Sequence, residues 1–373
     1  MKRLLSVMLC CLLLPASALA FNLTPYELES LGMYDFMHDV LPIARNEYMH
    51  VHAHSMPDDS IIQTLDRRKD GNLILQLILP NDTRTGYTPI ALQNGTVGVV
   101  QQTVRPEGTQ IWKRDYTLYD LSGGELANPR TFEGQPYMLR QFGGGFAGVR
   151  GDGEELSELL IYDEALNLRA RHTLPLANAR IQAAFSNDSD VYVLILHQGM
   201  ETDVIAMRIR ADNTVAWTYA YADGKYSYNN LYSDGQDGAL MIGSLVSDYK
   251  QYHITHLTPD GECDWSKTLS VKNAVVHPRQ HVVQTDGTMT LYGNAIANSR
   301  GLFSVFALNM DAQGNVLSID VRDYSARKDN SPEILLASDG TPFVHSIVID
   351  SRPAVLVPFD ALPKAKDPGI TLK

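Results

Sequence analysis

The stretch TPDGECDW, Thr258–Trp265, decides the fold because its outline keeps returning. RADNTVAW at Arg210–Trp217 has a turn residue in the same place and a Trp four positions after it. RRKDGNLIL at Arg67–Leu75 and MDAQGNVLS at Met310–Ser318 share the outline without the Trp. A turn that recurs through a chain of 373 residues points to repeat architecture, so the period is the first quantity to measure.

Two families of turn alternate. Gly95, Gly144, Ser189, Gly238, Gly287 and Gly340 form one, and Gly71, Gly124, Asn167, Asn213, Gly261 and Gly314 form the other. Within each family the step is 43 to 53 residues. Gly, Asn and Asp fill these places because tight hairpin turns require positive φ. Between the turns lie short apolar or alternating runs rich in β-branched and aromatic residues, such as VYVLILH, ALMIGSL, TMTLYGN, LFSVFALNM and DVIAMRIR. Each period therefore reads as four antiparallel strands, a to d, with tight turns at a–b and c–d. Four strands in roughly 40–50 residues predict an all-β fold, a β-propeller. A β-sandwich has no reason to repeat at one period.

Five periods are complete from about Gly86 to Tyr324. SPEILLASDGTPFVHSIVID supplies a further a–b pair and RPAVLVPFDAL a c strand, while SIIQTLDRRKDGNLILQLILP near the start has a c–d turn with no a–b turn before it. An open ring leaves an unpaired edge, so the two ends are expected to share one blade. With Asn72–Pro80 as the closing strand the count is six-bladed, and seven blades stay open because both ends offer a c-like strand. Residues 21–58 read as a leader: Tyr26, Leu28, Leu31, Tyr34 and Met37 are spaced as on a short helix starting at Thr24–Pro25. The propeller is then expected over residues 59–363, with a polar tail at 364–373.

Residues 1–20 have the form of a signal peptide. Lys2 and Arg3 precede the apolar run Leu4–Leu14, and Ala18 and Ala20 stand where signal peptidase reads small residues. The expectation is export, cleavage after Ala20 and a secreted, periplasmic or extracellular location. No later stretch reaches the roughly 18–20 apolar residues of a transmembrane helix. Cleavage removes two positive charges and takes the formal balance from −12 to −14. That acidity argues against nucleic acid, whose phosphates need clustered Lys and Arg. Cys10 and Cys11 lie in the signal, so Cys263 stands alone and no internal disulfide is expected.

The Trp that follows the turn, at Trp217 and Trp265, together with the four-strand period, resembles the tryptophan-bearing propeller repeats of secreted bacterial proteins. These are loosely similar to pyrroloquinoline-quinone-type propellers. The resemblance covers about residues 59–363 and implies fold alone; Leu75, Asn128, Arg171 and Ser318 fill the equivalent places in other repeats. It implies no catalytic residue and no cofactor, since propellers carry many unrelated functions.

MHVHAHSM places His50, His52 and His54 on one face of a strand, a weak candidate for metal. Neighbours on one face lie about 6.5–7 Å apart, poor geometry for three ligands on one ion. Arg150–Gly151–Asp152 matches an adhesion tripeptide, and Asn22, Asn81, Asn94 and Asn187 match the N-glycosylation pattern; both are short motifs that arise by chance. No G-x-S-x-G, H-E-x-x-H, phosphate loop or dinucleotide fingerprint occurs.

Alternation puts the a–b and c–d turns on one rim and the d–a and b–c loops on the other. The second set is longer and richer in side chains: ADGKYSYN, SLVSDYKQY and VKNAVVHPRQH are examples. Tyr226, Tyr228, Tyr249, Arg279 and His281 come from these loops and are the expected ligand-binding residues. The functional expectation is a non-catalytic propeller binding a protein or glycan on that rim. An extracellular glycan-acting hydrolase or lyase, or a structural component of an envelope assembly, are the alternatives.

Overall fold

The computed structural model describes residues 26–28 and 40–373, apart from residues 56–60, 81–84, 94, 108–110, 123, 152–155, 188, 198–199, 273, 285, 298–301, 325–331 and 347–353. The expected signal peptide and most of the expected helical leader lie outside the described residues. Seven antiparallel sheets follow one another around a ring, so the fold is a seven-bladed β-propeller. Blades 1 to 6 span residues 40–79, 85–131, 138–177, 179–221, 226–271 and 274–323, and blade 7 takes residues 332–358 with Tyr26–Leu28. The first strand of each sheet is the inner one: the first strands of blades 1 and 2, 3 and 4, 4 and 5, 6 and 7, and 7 and 1 touch around the central channel.

The extra blade comes from residues assigned to the leader. Val40–Ala44 and Glu47–Ser55 are strands a and b of blade 1, joined by a turn at Arg45–Asn46. That turn contains neither Gly nor Asp, so Asn46 alone marks it. Because blade 1 is already complete, Asn72–Leu79 is its outer strand and not the closing one. The shared blade does exist, but Tyr26–Leu28 completes it by pairing antiparallel with Ala354–Pro358. The tail is also tied down: Ile370–Leu372 adds a fifth strand to blade 5, with Ile370 buried.

Apolar residues explain why the blades stack. Strands b and c alternate so that one face of each sheet meets the blade before and the other the blade after. The buried side chains among the described residues fall into seven clusters, one per seam. Val40 and Tyr48 of blade 1 pack on Leu335, Phe343 and Leu356 of blade 7, closing the ring. Burial of a Leu, Phe or Tyr in such a seam contributes about 1.5–3 kcal/mol. Arg45 to Asp360, 2.7 Å, and Ser338 to the Ile43 carbonyl, 2.8 Å, join the same two blades.

The opening stretch acts as a latch between blades. The Trp217 indole of blade 4 donates to the Pro259 carbonyl in TPDG of blade 5, 3.0 Å, and Trp265 donates to Ala312 in the matching turn of blade 6, 3.2 Å. Gly261 is needed twice over, having φ +83° and a position where a Cβ would stand 2.6 Å from the Trp217 ring. No helix among the described residues is long and apolar enough to cross a membrane.

Candidate binding site between blades 5 and 6

The site starts from a break in alternation. The inner strand of blade 6, Ala274–Val283, has a β-bulge between Pro278 and Gln280 that leaves Arg279 as the extra residue. Blade 5 has the same bulge at Asn229 and blade 4 at Gln182. In each, the bulge lies opposite the same step of strand b, at Leu194, Ile242 and Tyr292. A bulge reverses the period of two, so Ala274 and Val276 before it and Val283 after it pack in the same seam. The bulged strand comes very close to strand b: a Cβ on Gly243 would lie 2.5 Å from the Ser227 carbonyl, and one on Gly293 2.5 Å from the His277 carbonyl.

The bulges collect polar side chains at the inner edge of the seam. Asn230 donates to Oδ1 of Asn229, 2.9 Å. Tyr252 Oη lies 2.8 Å from Nδ1 of His277, within hydrogen-bond distance. Tyr232 donates to the Arg279 carbonyl, 2.8 Å, and stacks on His281 at 5.4 Å. Burial, aided by the nearby Arg279 charge, lowers the His277 pKa to about 4. Burial also lowers His281 to about 4, against a weak opposing pull from Asp234. Both rings are neutral at pH 7. Burial pushes the Tyr232 and Tyr252 hydroxyls up, so both stay protonated donors.

A second cluster sits nearer the short-turn rim of blade 5. His256 reaches Asp234 through Nε2, 2.9 Å, and Asp264 through Nδ1, 2.5 Å, with Trp265 stacked on its ring. A ring bonded to carboxylates at both nitrogens must donate twice, which is the imidazolium form. Its pKa is raised: burial opposes the charge, and the two carboxylates outweigh burial.

The five expected residues do not share one surface. Tyr226 opens the inner strand of blade 5 at the long-loop rim, stacked on His253 at 4.0 Å with Lys225 4.9 Å from its ring centre. Tyr228 is a correction: it is 1% exposed, with its hydroxyl 2.7 Å from Thr255. Tyr249 belongs to the strand Asp248–Leu257, and its side chain lies outside the described residues. Arg279 and His281 stand on a strand, not a loop, facing the channel seam. Their loop assignment failed because Pro278 and the bulge erase the alternation that marks a strand. Tyr232, Tyr252, His277 and Asn229 were missed because contacts between blades leave no local pattern in the sequence.

His50 is buried on the strand Glu47–Ser55, opposite Asp66, with His52 and His54 at the next same-face positions. The described residues contain no group of three His, Cys, Asp or Glu placed to hold a metal. Arg150 pairs with Glu158 at 2.5 Å, and Asp152 lies outside the described residues.

No family model matches the sequence, and no curated protein matches it. Among solved structures the chain is similar to the β-propeller domain of the Trilobed protease from Pyrococcus furiosus, described as having an open velcro topology. Identity is 11% over 86% of this chain and 94% of that one, with a TM-score of 0.51. A eukaryotic initiation factor aligns at 10% identity over 94% of this chain and 90% of that one, TM-score 0.44. An N11 neuraminidase-like protein of a flat-faced bat influenza virus aligns at 10% over 74% and 94%, TM-score 0.43. At these identities the likeness is one of fold: the chain is a β-propeller.

Proposed function

We propose that this β-propeller is an exported, non-catalytic scaffold that binds a protein partner across its long-loop rim. The observation that supports the reading is the difference between the rims. On one, the turns at Leu92–Gly95, Arg210–Asn213, Thr258–Gly261, Gln284–Gly287, Asp311–Gly314 and Ala337–Gly340 are closed by backbone bonds and positive φ, so their residue types serve the backbone. The other rim presents side chains: Leu156 of blade 3 is 55% exposed, and Val246 of blade 5 is 54% exposed beside Lys225 and Tyr226. Exposed apolar residues edged by charge suit a protein surface. A sugar needs a bare aromatic face, and both faces of Tyr226 are engaged, by His253 and by Lys225. Secretion follows from the N-terminal segment, with Phe21 expected as the mature N-terminus by mass spectrometry. The test of the rim is binding by Val246→Asp and Leu156→Asp, which should weaken at least tenfold while the fold is kept.

One observation favours a second reading, a structural component of a larger assembly. Leu73, Ile74 and Ile78 on the outer strand of blade 1 are 45%, 52% and 69% exposed. An apolar edge strand offers both backbone pairing and burial to another chain. Sedimentation of Ile74→Lys/Ile78→Lys against the unaltered protein decides whether that edge associates.

A further inference from the structure

We propose that the central channel binds a small carboxylate-bearing ligand on the wall formed by blades 4 to 6, anchored by Arg279 with the amides of Gln182 and Asn229 beside it. These are the three bulge residues, at equivalent positions on consecutive inner strands. Bulges re-aim side chains, and here they set three polar residues at the same level of the channel wall.

Arg279 is the unusual member. Its side chain makes no hydrogen bond or ion pair among the described residues, and its Nε is buried without a partner. Only Nε is both buried and unpartnered, so the two Nη groups face open space. Several other buried or half-buried arginines are matched, as in Arg208 with Asp190, Arg322 with Asp320 and Arg67 with Glu47, while Arg180 on the inner strand of blade 4 shares the buried, unpartnered Nε. A chain with formal charge −12 has carboxylates to spare, yet none is placed here. An unpaired guanidinium fork beside unfilled amide donors matches a carboxylate, which takes two parallel N–H bonds.

The surroundings select the class of anion. Gln182 makes no side-chain hydrogen bond among the described residues, and its carbonyl receives Arg140 Nε at 3.1 Å. Asn229 Oδ1 accepts from Asn230 at 2.9 Å, which leaves its amide N–H groups as donors. His277 and His281, next to Arg279, are neutral at pH 7 and add no charge. Arg279 is the charged member of the three bulge residues, and its planar fork matches the two oxygens of a carboxylate. The site is separate from the long-loop rim, and either can be present without the other.

The test is calorimetric titration at pH 7 with acetate, succinate and inorganic phosphate, at constant ionic strength set with sodium chloride. Saturable binding of a carboxylate, lost at least tenfold in Arg279→Gln and kept in Arg210→Gln on the short-turn rim, supports the site. Partial recovery in Arg279→Lys supports the fork as well as the charge. Should Arg279→Gln fail to fold, Gln182→Glu puts a like charge on the same wall and should weaken binding at least tenfold. No saturable carboxylate binding, or equal binding by Arg279→Gln and Gln182→Glu, overturns the proposal. Phosphate binding as tightly as succinate overturns the choice of carboxylate.

Discussion

The Tyr252 hydroxyl lies 2.8 Å from Nδ1 of His277, joining strand c of blade 5 to the inner strand of blade 6. Burial, with the nearby Arg279 charge, lowers the His277 pKa to about 4 and keeps the ring neutral at pH 7. The pair lies beside a seam filled mainly by Leu, Val, Ile and Met. A neutral imidazole held this way has consequences for stability against pH.

His277 and His281 titrate near 4 in the folded chain and near 6.5 when unfolded. Between those values the unfolded chain binds more protons, so stability rises with pH. Protonation on acidification favours the unfolded state from about pH 6.5 down to about 4, where the loss levels off. Denaturant melts at pH 7, 5.5 and 4.5 should show that decline, roughly 1–3 kcal/mol per histidine. His281→Gln should shallow the decline; an unchanged slope contradicts the burial of a neutral ring.

His256 has the opposite sign. Its folded pKa is raised, so its contribution is fully present below about 6.5 and is lost as pH rises through the folded value. Asp234 also accepts the backbone N–H of Gln236 and Gly238, closing its turn. Asp234→Ala should cost about 3 kcal/mol and remove the alkaline decline, since it leaves buried donors unpaired. The check is the pH dependence of the melting temperature between 7 and 9 in both proteins.

Gly293 and Gly95 separate steric need from backbone need. A Cβ at Gly293 meets the His277 carbonyl and the Phe306 ring at 2.5 Å, whereas one at Gly95 meets nothing within 4 Å. Gly293→Ala should cost about 2–4 kcal/mol by forcing the bulged strand away. Gly95→Ala should cost about 1 kcal/mol, from its φ of +76° alone. Equal losses in urea melts would argue against the close approach.

Removal of residues 367–373 tests the added strand of blade 5. Ile370 is buried, and Thr268 exchanges backbone bonds with Lys373. Truncation should cost about 2 kcal/mol and deprotect amides of Cys263–Val271 to hydrogen exchange. A melting temperature identical to that of the full chain would mean the strand contributes nothing.

The repeat was legible because its turns are chemically forced: Gly261 and Gly314 adopt φ of +83° and +69° under a Trp ring. Blade 1 was harder to read, since its first hairpin turns at Arg45–Asn46 with Asn46 alone to mark it and no Gly or Asp. Leu166 shows the limit within the repeat itself, holding φ of +68° while Asn167 donates to Asp163. Arg279 and His281 were singled out by residue type, but their partner Tyr232 was not, because contacts between blades leave no local pattern. Alternation also fails at the bulges, where the chain reverses its period.

The most direct test of the rim is cross-linking of the mature protein to a cell-envelope fraction with an amine-reactive reagent, followed by mass spectrometry. Lys225 and Lys250 stand on the long-loop rim, and Lys69 stands at a c–d turn on the other. The account predicts links from Lys225 and Lys250 to one protein, lost in Val246→Asp with the melting temperature unchanged. Links from Lys69 that persist in Val246→Asp would contradict it.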